Sequence, residues 1–125
     1  GGIAFGAAID YMNSIGFDAI AAYEHELLEY ATEKLNAIEG MQIYGPKTDK
    51  TSVISFNIEG VHAYDLGTIV DKLGIAIRTG QHCAQPIMDF FKVSGTARAS
   101  FCFYNTKEEV DTFVAGVKKA AMMLR

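Results

Sequence analysis

Residues able to do chemistry are concentrated in one short polar segment, RTGQHCA at positions 78–84. The segment leaves an apolar stretch and brings Cys83 into a glycine-containing loop, with His82 beside it and Arg78 upstream. A thiol reacts as its thiolate, which nearby positive charge or a helix N-terminus favours. Arg78, His82 and the start of a helix at Pro86 are each able to act in this way. Cys83 is therefore a candidate nucleophile, with a buried, unreactive cysteine as the open alternative.

Arg98 is a candidate for binding an anion. Alternation over residues 97–104 predicts a strand whose core face is apolar, so that Arg98 projects from the opposite face. Arginine is the side chain best shaped to bind a carboxylate through two parallel hydrogen bonds. Without other information, the position is also that of a solvated arginine on an edge strand, which is the simpler interpretation.

The remaining cysteine and histidines have simpler interpretations. Cys102 is predicted on the same strand face as the arginine just described, and nothing in its sequence neighbourhood activates it, so we interpret it as structural. His25 lies among glutamates on a helix and is predicted to be solvated, whereas His62 is predicted to cap a helix or to pack at an interface. No CxxC or HxxxH pair is present, and the adjacent His82 and Cys83 are poorly spaced for a structural zinc, so no metal site is predicted.

Length and composition limit the classes of protein that the chain can represent. Its 125 residues suffice for one compact domain, and its net charge of -4 predicts no binding to nucleic acid or anionic membranes. No apolar run approaches the roughly 20 residues that a membrane span needs. Two cysteines without a disulfide framework favour a reducing compartment, and we expect a cytoplasmic protein. The start at Gly1 in mid-pattern, without methionine, is interpreted as a cut from a longer polypeptide.

Hydrophobic periodicity predicts the elements that position these residues. Helices are predicted over 1–12, 17–38, 62–73, 85–91 and 106–124, and strands over 41–44, 52–58, 75–77 and 97–104. The last helix is introduced by a capping box, Thr106 with Glu109. Four short strands with interleaved helices predict the α+β class, with a small, mostly antiparallel four-stranded sheet and helices packed chiefly on one face.

The segment at 78–84, followed by Pro86, resembles the R-x-G-x-H-C-A signature of the SufS/CsdA branch of cysteine desulfurases. These are fold-type I pyridoxal phosphate enzymes of the class V aminotransferase superfamily. Further matching motifs occur in the expected order: YGP at 44–46, HAYD at 62–65, RAS at 98–100 and YNT-x-EEVD at 104–111. The resemblance covers essentially the whole chain. It implies that residues 1–125 form the single C-terminal small domain of a longer enzyme, with 1–15 as a linking helix.

The resemblance also implies roles for the candidate residues. Cys83 would be the nucleophile that takes sulfur from L-cysteine, so that L-alanine is released and a persulfide is kept for iron–sulfur cluster assembly. Arg98 would hold the α-carboxylate of the substrate. Arg78, Gly80 and His82 would shape the cysteine loop.

The cofactor and the partners are likewise implied by the resemblance. The family holds pyridoxal phosphate through a lysine in its large domain, and none of the eight lysines here lies in such a motif. We therefore expect the missing large domain of the full-length enzyme to bind the cofactor, and this chain alone to be inactive. The expected partners are a SufE- or SufU-like sulfur acceptor and a second copy in a homodimer. The alternatives are a selenocysteine lyase of the same superfamily and a non-catalytic sulfur-carrier module.

Overall fold

Nine elements follow one another in the order that the periodicity predicts. The computed structural model describes all 125 residues. The helices are α1 (Gly2–Ile15), α2 (Phe17–Asn36), α3 (Ala63–Lys72), α4 (Gln85–Phe91) and α5 (Lys107–Leu124). The strands are β1 (Met41–Tyr44), β2 (Val53–Ile58), β3 (Arg78–Gly80) and β4 (Thr96–Ser100). None of the helices combines the length and the apolar composition that a bilayer crossing requires.

The four strands form one sheet in the order β1-β2-β4-β3, and every pair is antiparallel. Alternation in β2 buries Ile54, Phe56 and Ile58, and in β4 it buries Ala97 and Ala99. These side chains join the apolar faces of α2, α3 and α5 in one core cluster. Burial of this apolar area is the main force that holds the helices against one face of the sheet. The predicted α+β architecture is therefore confirmed.

Two predicted caps are also confirmed. Thr106 Oγ1 accepts a hydrogen bond from the Glu109 amide at 3.2 Å, and the Glu109 carboxylate accepts one from the Thr106 amide at 3.0 Å. His62 Nδ1 accepts a hydrogen bond from the Tyr64 amide at 3.3 Å and so caps α3. Such side-chain acceptors satisfy amide groups that have no partner inside the helix.

The strand predicted over 75–77 is wrong, because pairing with β4 begins only at Arg78. Ile75 and Ile77 are half-buried against the core, as their apolar character suggests. The backbone of this segment bonds a helix and not the sheet: the Ile75 amide donates a hydrogen bond to the Val70 carbonyl at 3.0 Å, near the end of α3. The amide is thereby committed to the helix end, and the segment approaches the sheet without joining it.

The strand predicted over 97–104 ends early, at Ser100. The Asn105 side chain accepts a hydrogen bond from the Cys102 amide at 2.8 Å, and the Asn105 amide donates to the Cys102 carbonyl at 2.9 Å. An asparagine that bonds the nearby backbone in this way favours a turn over a strand. Cys102 therefore lies in a turn, and its predicted position on the strand face of Arg98 is wrong.

A close backbone contact fixes the edge of the sheet where β3 ends. A Cβ atom added at Gly95 would lie 3.0 Å from the carbonyl carbon and oxygen of Gly80. Backbone atoms cannot rotate away as a flexible side chain can. The two backbone segments, at Gly80 and Gly95, therefore approach closely only because residue 95 has no side chain. Gly80 itself has φ of +117°, a conformation that other residues rarely adopt, and it turns the chain out of the sheet.

Gly95→Ala is expected to destabilise the chain by about 1–3 kcal/mol, the usual cost of forcing an extra carbon into a filled space. Gly6→Ala is the matched control, because Gly6 lies in α1 with open space around its Cα. In a helix interior that exchange is neutral or stabilises by up to about 1 kcal/mol. Urea unfolding followed by circular dichroism measures both. Equal stability of the two variants would contradict the close contact between the backbones.

Candidate active site

A row of polar side chains crosses the sheet on the face opposite the core. In the antiparallel register Tyr44 pairs with Ser55, Ser55 with Arg98, and Arg98 with Arg78. Directly paired residues project from the same face of a sheet. We call this side, defined by Tyr44, Ser55, Arg78 and Arg98, the open face. Helix α4 reaches one end of it, where the Phe91 ring lies 5.0 Å from the Tyr44 ring.

The two arginines of the open face are direct neighbours without a counter-ion. None of the chain's ion pairs involves Arg78 or Arg98. Like charges on directly paired residues destabilise a sheet, and this cost stays small only where solvent or an anion compensates it. Arg98 is half-buried and Arg78 is exposed. The pair therefore forms a site suited to an anion, and the planar guanidinium of Arg98 matches a carboxylate in particular.

Cys83 lies in a tight turn directly after β3. The Ala84 amide donates to the Gln81 carbonyl at 2.9 Å, which closes a four-residue turn. The two central residues, His82 and Cys83, both have positive φ, 55° and 56°. Positive φ at both central positions is the pattern of a type I′ turn, which normally selects Asn-Gly rather than two residues with full side chains.

This conformation is strained, and it exposes the cysteine. A left-handed conformation costs about 1–2 kcal/mol for a residue with a Cβ atom. Two such residues in succession persist only where the surrounding contacts hold them, and such strain is concentrated at functional sites. Cys83 is exposed and its thiol is free. The turn thus presents the sulfur at the surface of the protein.

The His82 imidazole connects the turn to the sheet. Its Nε2 lies 3.0 Å from both the carbonyl oxygen and the hydroxyl oxygen of Thr96. A carbonyl oxygen only accepts hydrogen bonds, so Nε2 carries the proton. Desolvation by burial lowers the pKa of His82 from its usual value of 6.5, the bond to the Thr96 backbone opposes this in part, and the nearby charges of Arg98 and Arg78 lower it further. This environment therefore favours the neutral imidazole, in which the proton is on Nε2.

The structure brings the five candidate residues of the sequence together at one edge of the sheet. Arg78 and Gly80 lie in β3, His82 and Cys83 follow in the turn, and Arg98 is paired with Arg78. The other reactive side chains lie elsewhere. His25 is exposed, as predicted for a solvated residue, and its Nε2 lies 3.4 Å from the Glu29 carboxylate. His62 lies at the start of α3, and Cys102 lies in its turn beside Tyr104. No three His, Cys, Asp or Glu side chains are close enough together to hold a metal ion.

Three residues near Cys83 escaped the sequence analysis. Thr96 bonds His82, Gly95 lies against Gly80, and the Asn57 side chain donates to the Gly95 carbonyl at 2.9 Å. Their roles depend on neighbours across the sheet, between 14 and 38 positions away in the sequence. No local sequence pattern identifies them.

The chain as a whole was compared with known proteins. The family model of the class-V aminotransferases matches residues 1–113. The chain belongs to the class-V aminotransferase family. This assignment agrees with the resemblance found in the sequence and with the observed α+β fold.

The relatives of this class-V aminotransferase chain include cysteine desulfurases. It is 50% identical over 119 residues to a probable cysteine desulfurase of Halalkalibacterium halodurans, and 52% identical over 118 residues to one of Staphylococcus aureus. These matches cover 95% and 94% of this chain and 29% of each relative.

Solved structures give the same result. The cysteine desulfurase CsdA of Escherichia coli superposes with a TM-score of 0.88 at 34% identity, over 95% of this chain and 29% of that one. The apo cysteine desulfurase of Thermococcus onnurineus superposes with a TM-score of 0.89 at 38% identity, over 94% of this chain and 30% of that one. The chain therefore spans less than a third of the length of the relatives that it matches.

The residues of this chain do not by themselves fit pyridoxal phosphate. A lysine that forms a Schiff base is desolvated or placed beside another cation, which lowers its pKa. All eight lysines here are exposed or half-buried, and none lies in β3, in β4 or at 81–84. The open face offers two arginines, a hydroxyl and a phenol instead, which is a donor set for a small anion.

The ring of His82 is expected to titrate below pH 6.5, because burial and two neighbouring guanidinium groups disfavour its protonated form. Proton NMR of the ring measures the midpoint. Arg78→Gln is expected to raise that midpoint by removing one positive charge, whereas Arg125→Gln, which alters an arginine outside the site, leaves it in place. A wild-type midpoint at or above 6.5 would contradict the described environment.

Proposed function

We propose that this chain is the sulfur-accepting domain of a cysteine desulfurase, with Cys83 as the nucleophile. The observation that carries the proposal is the strained turn at 81–84. It presents an exposed, free thiol at the edge of a face that carries two arginines without counter-ions. An enzyme that removes sulfur from a small amino acid requires a nucleophile to take the sulfur and a group that binds the carboxylate. The similarity to cysteine desulfurases supports the same conclusion.

In the proposed reaction, L-cysteine loses its sulfur to Cys83. The thiolate of Cys83 forms an S–S bond with the substrate sulfur, and the bond from that sulfur to the substrate Cβ breaks. The electron pair of the broken bond stays with Cβ, which takes up a proton, so the products are L-alanine and a Cys83 persulfide. Pyridoxal phosphate belongs, in this proposal, to the portion of the enzyme outside this chain.

Arg98 binds the α-carboxylate of L-cysteine in this proposal. Its half-buried position reduces competition from water, so a bidentate, charge-assisted pair is stronger there than on an open surface. Arg78 lies directly beside it in the register and gains from the same anion, because a bound carboxylate offsets the repulsion between the two guanidinium groups. Gly80 and His82 act on the turn: Gly80 lets the chain leave β3, and His82 attaches the turn to β4.

The wider role follows from the exposure of Cys83. A persulfide on an accessible turn can pass its sulfur to a second protein, and we propose a SufE- or SufU-like acceptor that supplies iron–sulfur cluster assembly in the cytoplasm. Helix α1 has no buried residue, and its Ile3 and Phe5 are 95% and 68% exposed. We propose that residues 1–15 link this C-terminal small domain to a large domain in a homodimeric enzyme. The chain alone is then inactive.

Cys83→Ala, made in the natural polypeptide that contains this chain, is expected to abolish sulfur transfer from L-cysteine and to leave cofactor absorbance unchanged. The physical reason is that no other thiol lies on the turn beside the arginine pair. Intact mass and peptide mapping after brief exposure to L-cysteine should show one added sulfur atom on the Cys83 peptide of the wild type. Cys102→Ala is the matched control and should still gain that atom, because Cys102 lies in a separate turn.

The outcomes separate the candidate functions. An unmodified Cys83 while cysteine is consumed contradicts the proposed role of the thiol. A persulfide that forms from a persulfidated donor protein but never from cysteine indicates the sulfur-carrier module. Release of selenium from selenocysteine with no turnover of cysteine indicates a selenocysteine lyase.

Arg98→Ala is expected to raise KM for L-cysteine and to lower kcat/KM by about 100-fold. Two hydrogen bonds to a charged group are worth about 3 kcal/mol or more in total, and 1.4 kcal/mol corresponds to a factor of ten. Steady-state alanine formation measures the effect. Arg125→Ala is the matched control, since that arginine bonds the Glu39 carbonyl away from the site. A loss of tenfold or less would mean that Arg98 does not anchor the carboxylate.

A further inference from the structure

Thr96 is a buried polar residue beside the candidate site, and it belongs to none of the roles assigned above. It is 1% exposed, and of the residues in β4 it is the one paired with Gly80. Both of its oxygens, the carbonyl and the hydroxyl, lie 3.0 Å from Nε2 of His82. A buried hydroxyl is costly unless it is bonded. The partner of this hydroxyl is the His82 ring, which belongs to the Cys83 turn.

The strand position of Thr96 is itself held firmly. Gly95, the preceding residue, lies against the Gly80 backbone, and its carbonyl accepts a hydrogen bond from the Asn57 side chain at 2.9 Å. Asn57 in turn lies 3.3 Å from the Tyr44 hydroxyl. A continuous set of contacts thus runs from β1 and β2 through β4 to Thr96. The His82 ring is bonded to a rigid part of the sheet, and the strained turn that follows β3 is tied to that part through the ring.

We propose that Thr96 is a positioning residue for Cys83. Its two oxygens hold the Nε2–H imidazole of His82 and thereby keep the turn at 81–84 in the left-handed conformation that presents the thiol. The inference rests on the proposed function for the reaction of the thiol, but not for the conformation of the turn. Loss of the hydroxyl loosens the turn and leaves the arginine pair intact.

Two substitutions test the inference in the natural polypeptide that contains this chain. Thr96→Val removes the hydroxyl at nearly constant volume, and Thr96→Ser retains it. Thr68→Val is the matched control, because the Thr68 hydroxyl bonds only the Tyr64 carbonyl in its own helix. Turn opening is measured by hydrogen–deuterium exchange of the peptide that contains the Ala84 amide, the donor that closes the turn.

Thr96→Val is expected to speed exchange at Ala84 about fivefold, since a typical hydrogen bond contributes about 1 kcal/mol. The kcat of persulfide formation should fall by a similar factor, while KM for L-cysteine stays within twofold because Arg98 is unchanged. Thr96→Ser should restore both values. Thr68→Val should leave both as in the wild type.

A double-mutant cycle with His82→Ala distinguishes positioning from a general structural effect. If Thr96 acts through His82, the fivefold effect of Thr96→Val disappears when His82 is already absent. An effect of full size in the His82→Ala background would overturn the inference, and so would unchanged Ala84 exchange in Thr96→Val. Coupled exchange effects in a protein that forms no persulfide would sustain the positioning role and refute the proposed function. Normal persulfide formation in every Thr96 variant would refute the positioning role and sustain the proposed function.

Discussion

The register of three residue pairs between β3 and β4 determines the geometry of the site. Arg78 faces Arg98, Thr79 faces Ala97, and Gly80 faces Thr96. A slip of β4 by one residue against both of its neighbours would turn each of its side chains to the other side of the sheet, so that Arg98 entered the core. The core prevents this, because Ala97 and Ala99 are small residues buried under the helices. Apolar packing on one face therefore fixes the positions of charges on the other.

The same register explains how a strained turn can persist. With Gly80 opposite Thr96, the chain leaves the sheet directly beside the two oxygens that bond His82. On the far side of the turn, the Ala84 carbonyl accepts hydrogen bonds from the first turn of α4, and Met88 in that helix is buried. The turn is thus held at both ends and through its first central residue, while the second, Cys83, stays exposed. Contacts on both sides of the turn suit a nucleophile, since they limit the orientations that a reacting atom must lose.

Sequence periodicity predicted the elements whose own side chains define them. In β2, alternate residues are buried, and in α5 the capping box and the apolar stripe agree with each other. It failed where a backbone group had a competing partner: Ile75 bonds the end of α3, and Asn105 bonds the Cys102 amide. Residue type alone identified the thiol as a candidate, and the family resemblance gave it a role. Thr96 was invisible to both kinds of reasoning, because its importance arises from a contact across 14 positions.

In the proposed enzyme, the open face and the Cys83 turn carry out only part of the chemistry. The open face supplies two guanidinium groups, a hydroxyl and a phenol, and the adjacent turn adds a thiol and an imidazole, but neither set of residues contains a lysine or a carboxylate. Breaking a carbon–sulfur bond leaves an electron pair on carbon, and two arginines that bind a carboxylate at the other end of the substrate do not stabilise it. In the proposed enzyme, this domain therefore binds one end of the substrate and receives its sulfur. The activation of carbon then belongs to groups brought against the open face, and the lack of a counter-ion beside Arg78 and Arg98 leaves room for them.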